Sequence, residues 1–231
     1  MTLAKSATLH HASFQNDRSN ILTDRSTTDN LDWAMNRPRE FQEEEVLDRA
    51  LVAFWRLGYD ACSIGHLVKS TGLQRQSLYN GFGDKDGLFL AVLKRYEQHS
   101  AAELAHLDLP GTKLSDLRAY MERVLAIQAT RGCGACLLVR TAFGPQIREP
   151  RVRKAVTAGA QAVRACFVRV IERAVLSGEV ALDTDPEQCA AYLYTVLNGL
   201  AALTKTGGST EHVSAVLTHA FASIARSRPR R

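Results

Sequence analysis

Two short clusters concentrate the side chains able to do chemistry. The first is Gln74-Arg75-Gln76-Ser77, followed by Tyr79, Asn80 and Lys85. Gln and Arg pair bidentately with adenine and guanine edges. Tyr79 and Lys85 are spaced to reach phosphates on either flank, contacts that set register and supply salt-dependent affinity. The second cluster is Cys133 and Cys136, a Cys-x-x-Cys with Arg131 and Arg140 nearby. Such a pair can be a redox couple or half of a metal site. No second half follows, because Cys166 and Cys189 are isolated and His99 and His106 are singletons, so neither a metal nor another cofactor is expected. A thiol at a helix start is favoured as thiolate by the dipole and neighbouring arginines. The competing reading makes Cys136 a small hydrophobe lining a core or cavity. There is no phosphate loop, nucleophile elbow, HExxH or paired acid–base constellation, so the chain does not read as an enzyme.

The elements that must position these clusters are helices throughout. Val46, Leu47, Ala50, Leu51, Phe54 and Leu57 recur at three- and four-residue spacing, with Glu43, Glu44 and Glu45 in the early turns and Gly58 at the end. Ser63 can cap a short helix carrying Ile64, Leu67 and Val68, and Gly72 suits the left-handed turn after it. Another short helix is expected over 74–80, and Asp84 can cap a fourth carrying Phe89, Val92, Leu93 and Tyr96. Leu109-Pro110-Gly111 marks a boundary. Thr112 is expected to cap the next helix, whose apolar stripe ends in Gln128. A helix from Cys136 follows, then a long one from Pro150 to Leu176. Asp185-Pro186 opens another, and the last begins near Thr210. Seven bases on the long helix and just before it, among them Arg164, Arg169 and Arg173, read as a solvated face.

The chain has 231 residues, 45% hydrophobic and 23% charged, with 29 Lys+Arg against 24 Asp+Glu. It is large enough for a real core and only mildly basic. No apolar run approaches the ~20 residues of a membrane span. Five cysteines, thinly spread and with no signal-peptide pattern, point to reduced thiols in a cytoplasm. Residues 1–36 are polar, aperiodic and charge-balanced, and read as a disordered extension. Met35, just before the first helix, is a candidate translation start. The arginines of 227–231 read as a frayed basic tail.

Residues 63–82 have helix-turn-helix length, in which the second helix lies in the major groove. Spacing alone leaves open whether this is a DNA reader or a plain packing unit. The stretch "RPREFQEEEVLDRALVAFWRLGYDACSIGHLVKSTGLQRQSLYNGFGDKDGLFLAVLKRY" resembles the N-terminal domain of the TetR family of bacterial transcriptional regulators. The resemblance implies an all-α fold of about nine helices. A DNA-binding domain would span 37–99 and an effector-binding and dimerisation domain 110–226. It also implies a homodimer, paired through about 186–226, that represses from a palindromic operator and is released by a small-molecule effector. Thr71, Gln74, Arg75, Gln76, Ser77, Tyr79 and Asn80 would face DNA. Lys85 would grip a phosphate. Arg37 and Arg39, placed before the first helix, read either as an arm to the backbone or minor groove or as solvated residues. The segment "RGCGACLLVRTAFG" resembles a Gly-Cys-Leu-Leu stretch of a TetR subset, which keeps open an electrophile or oxidant sensor triggered at Cys136 with Cys133. Tyr120, Cys133, Cys136, Phe143, Phe167, Tyr192 and Tyr194 are candidate effector-lining residues by type and position. Two departures stand out. Gln74 replaces a better capping residue, and His66 sits three residues after Ser63, where an acid is frequent.

Overall fold

The computed structural model describes residues 37–131 and 136–225, apart from the side chains of 37–42 and 131. Residues 1–38 and 39–231 are separate units, and the fold below is that of the second. The extension and basic tail expected from sequence lie outside the described residues.

The described residues form nine α-helices and no strand. They are α1 (Arg37–Leu57), α2 (Ile64–Thr71), α3 (Arg75–Phe82), α4 (Lys85–Ala105), α5 (Leu114–Arg131), α6 (Leu137–Ala142), α7 (Pro150–Leu176), α8 (Pro186–Lys205) and α9 (Thr210–Ala225). Two 3-10 turns, His106–Asp108 and Pro145–Arg148, join α4 to α5 and α6 to α7. The ends follow from local chemistry. Gly58, at φ 79°, stops α1, and Asp185 accepts from the Glu187 and Gln188 amides to start α8. Thr112 does not cap α5 as expected. Its hydroxyl donates to the Leu109 carbonyl at 2.6 Å, and the helix opens two residues later, where Asp116 accepts from the Lys113 amide at 2.8 Å.

Two apolar cores result. In the first, Leu51 and Phe54 of α1, Leu67 of α2, Leu78 of α3 and Phe89 and Val92 of α4 pack together. Phe54 and Phe89 meet edge to face at 4.9 Å, an arrangement worth about 0.5–1.5 kcal/mol beyond burial. Leu137 and Leu138 of α6 and Val152 and Val156 of α7 enter this same core. The boundary marked by Pro110-Gly111 is therefore a turn in the chain and not a divide in the packing. The second core joins α5, α7, α8 and α9 around Leu117, Met121, Phe167, Ile171, Leu193 and Leu217.

The basic face of α7 is solvated as expected, with Arg151, Arg153, Lys154, Arg164 and Arg169 exposed, but its far end also makes specific contacts. Arg169 forms a two-pronged pair with Asp108, both contacts at 2.8 Å, and Arg173 donates to the Leu107 carbonyl. Both clamp the turn after α4 onto α7. Of the apolar residues spaced helically on α9, Leu217, Ala220, Phe221 and Ile224 are buried in the protomer's own core, Val213 packs half-buried against it and Val216 is exposed. The outer face of α9 carries small residues, Ser214, Ala215, Thr218 and Ala222.

Candidate nucleic-acid interface and an apolar cavity

Ser63 caps the start of α2, and Thr71 and Gly72 build the turn between α2 and α3. Ser63 accepts from the His66 amide at 3.2 Å, and His66 Nδ1 accepts from the Ser63 amide at 3.2 Å. The imidazole thus fills the place of the usual acid in a capping box, with its remaining ring proton on Nε2. Gly72 takes φ 76° and closes α2 through its amide to the Val68 carbonyl at 3.0 Å. The Thr71 hydroxyl donates to the Leu67 carbonyl at 2.7 Å and accepts from the Leu73 amide at 3.3 Å. Thr71 is only 3% exposed. The structure thus gives Thr71 to the turn and not to an outward face.

Leu78 is buried and anchors α3. Gln74, Arg75, Gln76, Ser77, Tyr79 and Asn80 all project outward from the same short helix. Gln74 precedes α3 without capping it, so its amide is uncommitted to the helix end. Gln76 Nε2 donates to Asn80 Oδ1 at 2.9 Å, which fixes two amides one turn apart. Arg75 makes no ion pair among the described residues. A Cβ on Gly87 would lie 2.1 Å from the Phe82 carbonyl oxygen, so only glycine lets α4 start this close to the end of α3.

Lys85, the first residue of α4, is half-buried, with Nζ 4.1 Å from the centre of the Tyr59 ring. The Tyr59 hydroxyl donates to Asp86; burial, then Asp86, raise the phenol well above its ordinary value. Lys85 is therefore held in place by an aromatic face at the rim of the α3 surface. Arg39 lies in the first turn of α1, and its side chain is outside the described residues. Sequence reasoning missed Arg49, which donates to the Thr71 carbonyl at 3.3 Å and ties α1 to the end of α2.

A cavity of about 640 Å³ lies between α1 and α4 on one side and α5 to α8 on the other. Leu51 and Trp55 come from α1; Tyr96, Glu97 and Ser100 from α4; Tyr120, Val124 and Gln128 from α5. Cys136 and Leu138 flank them, with Gly159 of α7 and Tyr194 and Asn198 of α8 closing the far wall. Tyr96, Ser100 and Cys136 line the same cavity. Burial raises the phenols of Tyr96, Tyr120 and Tyr194 and the carboxyl of Glu97.

Of the expected effector-lining residues, Tyr120, Cys136 and Tyr194 meet in this cavity. Phe143 does not: it is 90% exposed after α6. Phe167 is fully buried in the second core, edge-on to Tyr120 at 6.1 Å. Tyr192 is on the outer side of α8. Cys133 lies outside the described residues. Trp55, Tyr96 and Glu97 were missed because they belong to helices assigned to DNA binding. Gln128 had a signal, a polar residue ending an apolar stripe. The Cys136 environment opposes a reactive thiolate. The Val139 amide donates to its Sγ at 3.3 Å, yet burial dominates and pushes the thiol up. Arg140 points away from it, donating to the Trp55 carbonyl at 3.2 Å. No cluster of three or more metal-ligating side chains occurs among the described residues.

That Arg140 contact links cavity to reader. Cys136 and Leu138 sit on the cavity wall, while Arg140, on the same short helix segment, holds the C-terminal turn of α1. Gln146 adds a bond to Asp60 at 2.9 Å.

Comparison with known proteins agrees with this geometry. Residues 46–92 match the family pattern described as bacterial regulatory proteins, tetR family, and residues 114–220 match the tetracyclin repressor-like C-terminal domain. The HTH-type transcriptional regulator YezE of Bacillus subtilis is 32% identical over 69% of this chain and 84% of its own. The HTH-type transcriptional repressor AcnR of Corynebacterium glutamicum is 30% identical over 75% of this chain and 87% of its own. Among solved structures, a cysteine mutant of the TetR family regulator CifR, complexed with a 26-base-pair double-strand operator DNA, superposes with TM-score 0.63. It is 29% identical and covers 78% of this chain and 95% of the other.

Proposed function

Because the chain belongs to the tetR family of bacterial regulatory proteins, we propose that it is a cytoplasmic, homodimeric repressor that reads a palindromic operator with α3 and leaves it when a small molecule fills the cavity. It has no catalytic role in this reading. The observation that carries it is the division of labour on α3: Leu78 locks the helix into the first core while Gln74, Arg75, Gln76, Ser77, Tyr79 and Asn80 stay open to solvent. The open amides of the first turn and the helix dipole add a phosphate-seeking end. Lys85, steadied by Tyr59, supplies a second backbone contact at the rim.

The reader's charge is placed rather than abundant. Residues 37–95 carry nine Lys/Arg and eight Asp/Glu, and Asp48 and Glu44 of α1 share an ion pair with Arg95 of α4. A ligand in the cavity presses on α4, the last helix of the reader, and on Cys136 and Leu138 at the start of α6, whose Arg140 holds α1. A ligand that favours the wrong separation of two recognition helices shifts the population off DNA.

The test is fluorescence anisotropy with a palindrome taken from beside the protein's own gene and a scrambled duplex of equal composition. At moderate salt the palindrome is expected to bind at least about a thousandfold tighter. Equal affinity for both duplexes overturns the reading.

A further inference from the structure

We infer that the cavity selects an amphiphilic amine, a protonated ammonium head on an apolar body, over an acid of the same shape. The inference rests on the cavity being the effector site. Among the described residues, the lining contains no lysine and no arginine. Its charged or titratable side chains, besides the tyrosines and Cys136, are Glu97, Glu103 and His99. Glu103 is paired with Arg123 at 3.2 Å, and His99 Nε2 lies 3.4 Å from Asp48. Glu97 makes no ion pair among the described residues, and its Oε1 is buried without a hydrogen-bond partner. Burial raises its carboxyl, with no cation opposing that effect.

A second group points the same way. Gln128 is 3% exposed, and its Oε1 is also buried and unpartnered. One N–H of Asn198 is spent on the Tyr194 carbonyl at 2.8 Å, and no Asn198 atom is left buried without a partner. The tyrosine hydroxyls can play either role and do not discriminate. What the wall leaves unsatisfied is therefore acceptor on both α4 and α5. An unpartnered buried acceptor is costly, and an ammonium donating to Glu97 and Gln128 removes that cost. A carboxylate or phosphate would meet the opposite: a like charge at Glu97 and, beside Tyr120, a cation, Arg123, that is already paired with Glu103. The volume, about 640 Å³, suits a drug-sized ligand with a sizeable apolar body.

Dodecylammonium, dodecanol and dodecanoate share one chain and differ in the head. Binding of each to the full-length protein, followed by calorimetry, tests the inference below micellar concentrations. Dodecylammonium should bind at least about tenfold tighter than dodecanol, and dodecanoate more weakly than dodecanol. The net charge of +5 biases nonspecific attraction toward dodecanoate, so the expected order cannot arise from it. In Glu97→Gln the ammonium-to-alcohol ratio should fall to about one, and Gln128→Leu should lower it as well. Dodecanoate binding as tightly as dodecanol overturns the inference, and so does an undiminished ratio in Glu97→Gln. If dodecanol binds and the ammonium adds nothing, the amine preference fails while the cavity remains a ligand site. If none of the three binds, the effector-site reading fails and takes the preference with it.

Discussion

At the first turn of α3, Arg75 projects beside Gln76 and Ser77 with no acid of the described chain to hold it. Such an arginine is available for a guanine edge, so Arg75→Ala should cost operator affinity about 1–3 kcal/mol and relax specificity at one base position, leaving scrambled DNA little changed. Anisotropy against a set of single-base operator variants measures both. Thr71 makes the opposite prediction. Its buried hydroxyl serves the Leu67 carbonyl and the Leu73 amide, so Thr71→Val should destabilise the protein by about 1–2 kcal/mol and Thr71→Ser should restore most of it. Thermal unfolding reads this; an unchanged melting temperature with weakened operator binding would return Thr71 to the DNA face. Residue type and spacing made the outward face of α3 legible, because amides and arginines on an eight-residue helix with one leucine have one way to sit. They could not separate Thr71 from that face. A threonine that staples a turn and one that meets a phosphate look alike until the hydroxyl's partners are known.

Helix ends were legible where a single residue decides them: Gly58, Gly72, Asp84, Pro150 and Asp185 each stand where the pattern requires. Contacts between helices distant in sequence were not. Arg95 of α4 grips Asp48 of α1 at 2.8 and 3.0 Å, and no local pattern announces a pair 47 positions apart. Arg95 holds the Asp48 carboxyl below its ordinary value. The tie therefore contributes fully above the unfolded aspartate pKa of about 4 and is lost as pH falls through the lower folded value. Asp48 is substantially exposed, so solvent screening keeps the contribution modest. Acid titration of stability should show a shallower loss in Asp48→Asn than in the wild type between about pH 4 and pH 2. Parallel curves would remove Asp48 from the acid response. The cavity was hidden for the same reason. Its walls come from six helices, and half its polar groups sit on α4, which by local pattern is only the last helix of the reader.

For the whole molecule, two copies must be presented in register. Most large apolar residues of α8 and α9 are spent inside the protomer; the outer surface carries Ser214, Ala215, Thr218 and Ala222, with Val216 of α9 and Tyr192 of α8 also exposed. Small side chains let two helix pairs approach closely, and an arginine there would hold them apart. Ala215→Arg should sediment as a monomer and lose operator binding while keeping its helical circular dichroism; a dimer that still binds would move the interface elsewhere. The expectation of pairing in this region came from family resemblance. Of the apolar stripe that periodicity suggests on α9, Leu217, Ala220, Phe221 and Ile224 turn inward while Val216 stays on the surface.

The most direct measurement is dimethyl sulfate interference on the palindrome, since guanine N7 is reached only through the major groove. Two symmetric patches are predicted, their centres about 34–36 Å apart or a whole multiple of one turn, both disappearing in Arg75→Ala. A single patch, or interference spread evenly along the duplex, would contradict a paired α3 as the element that reads DNA.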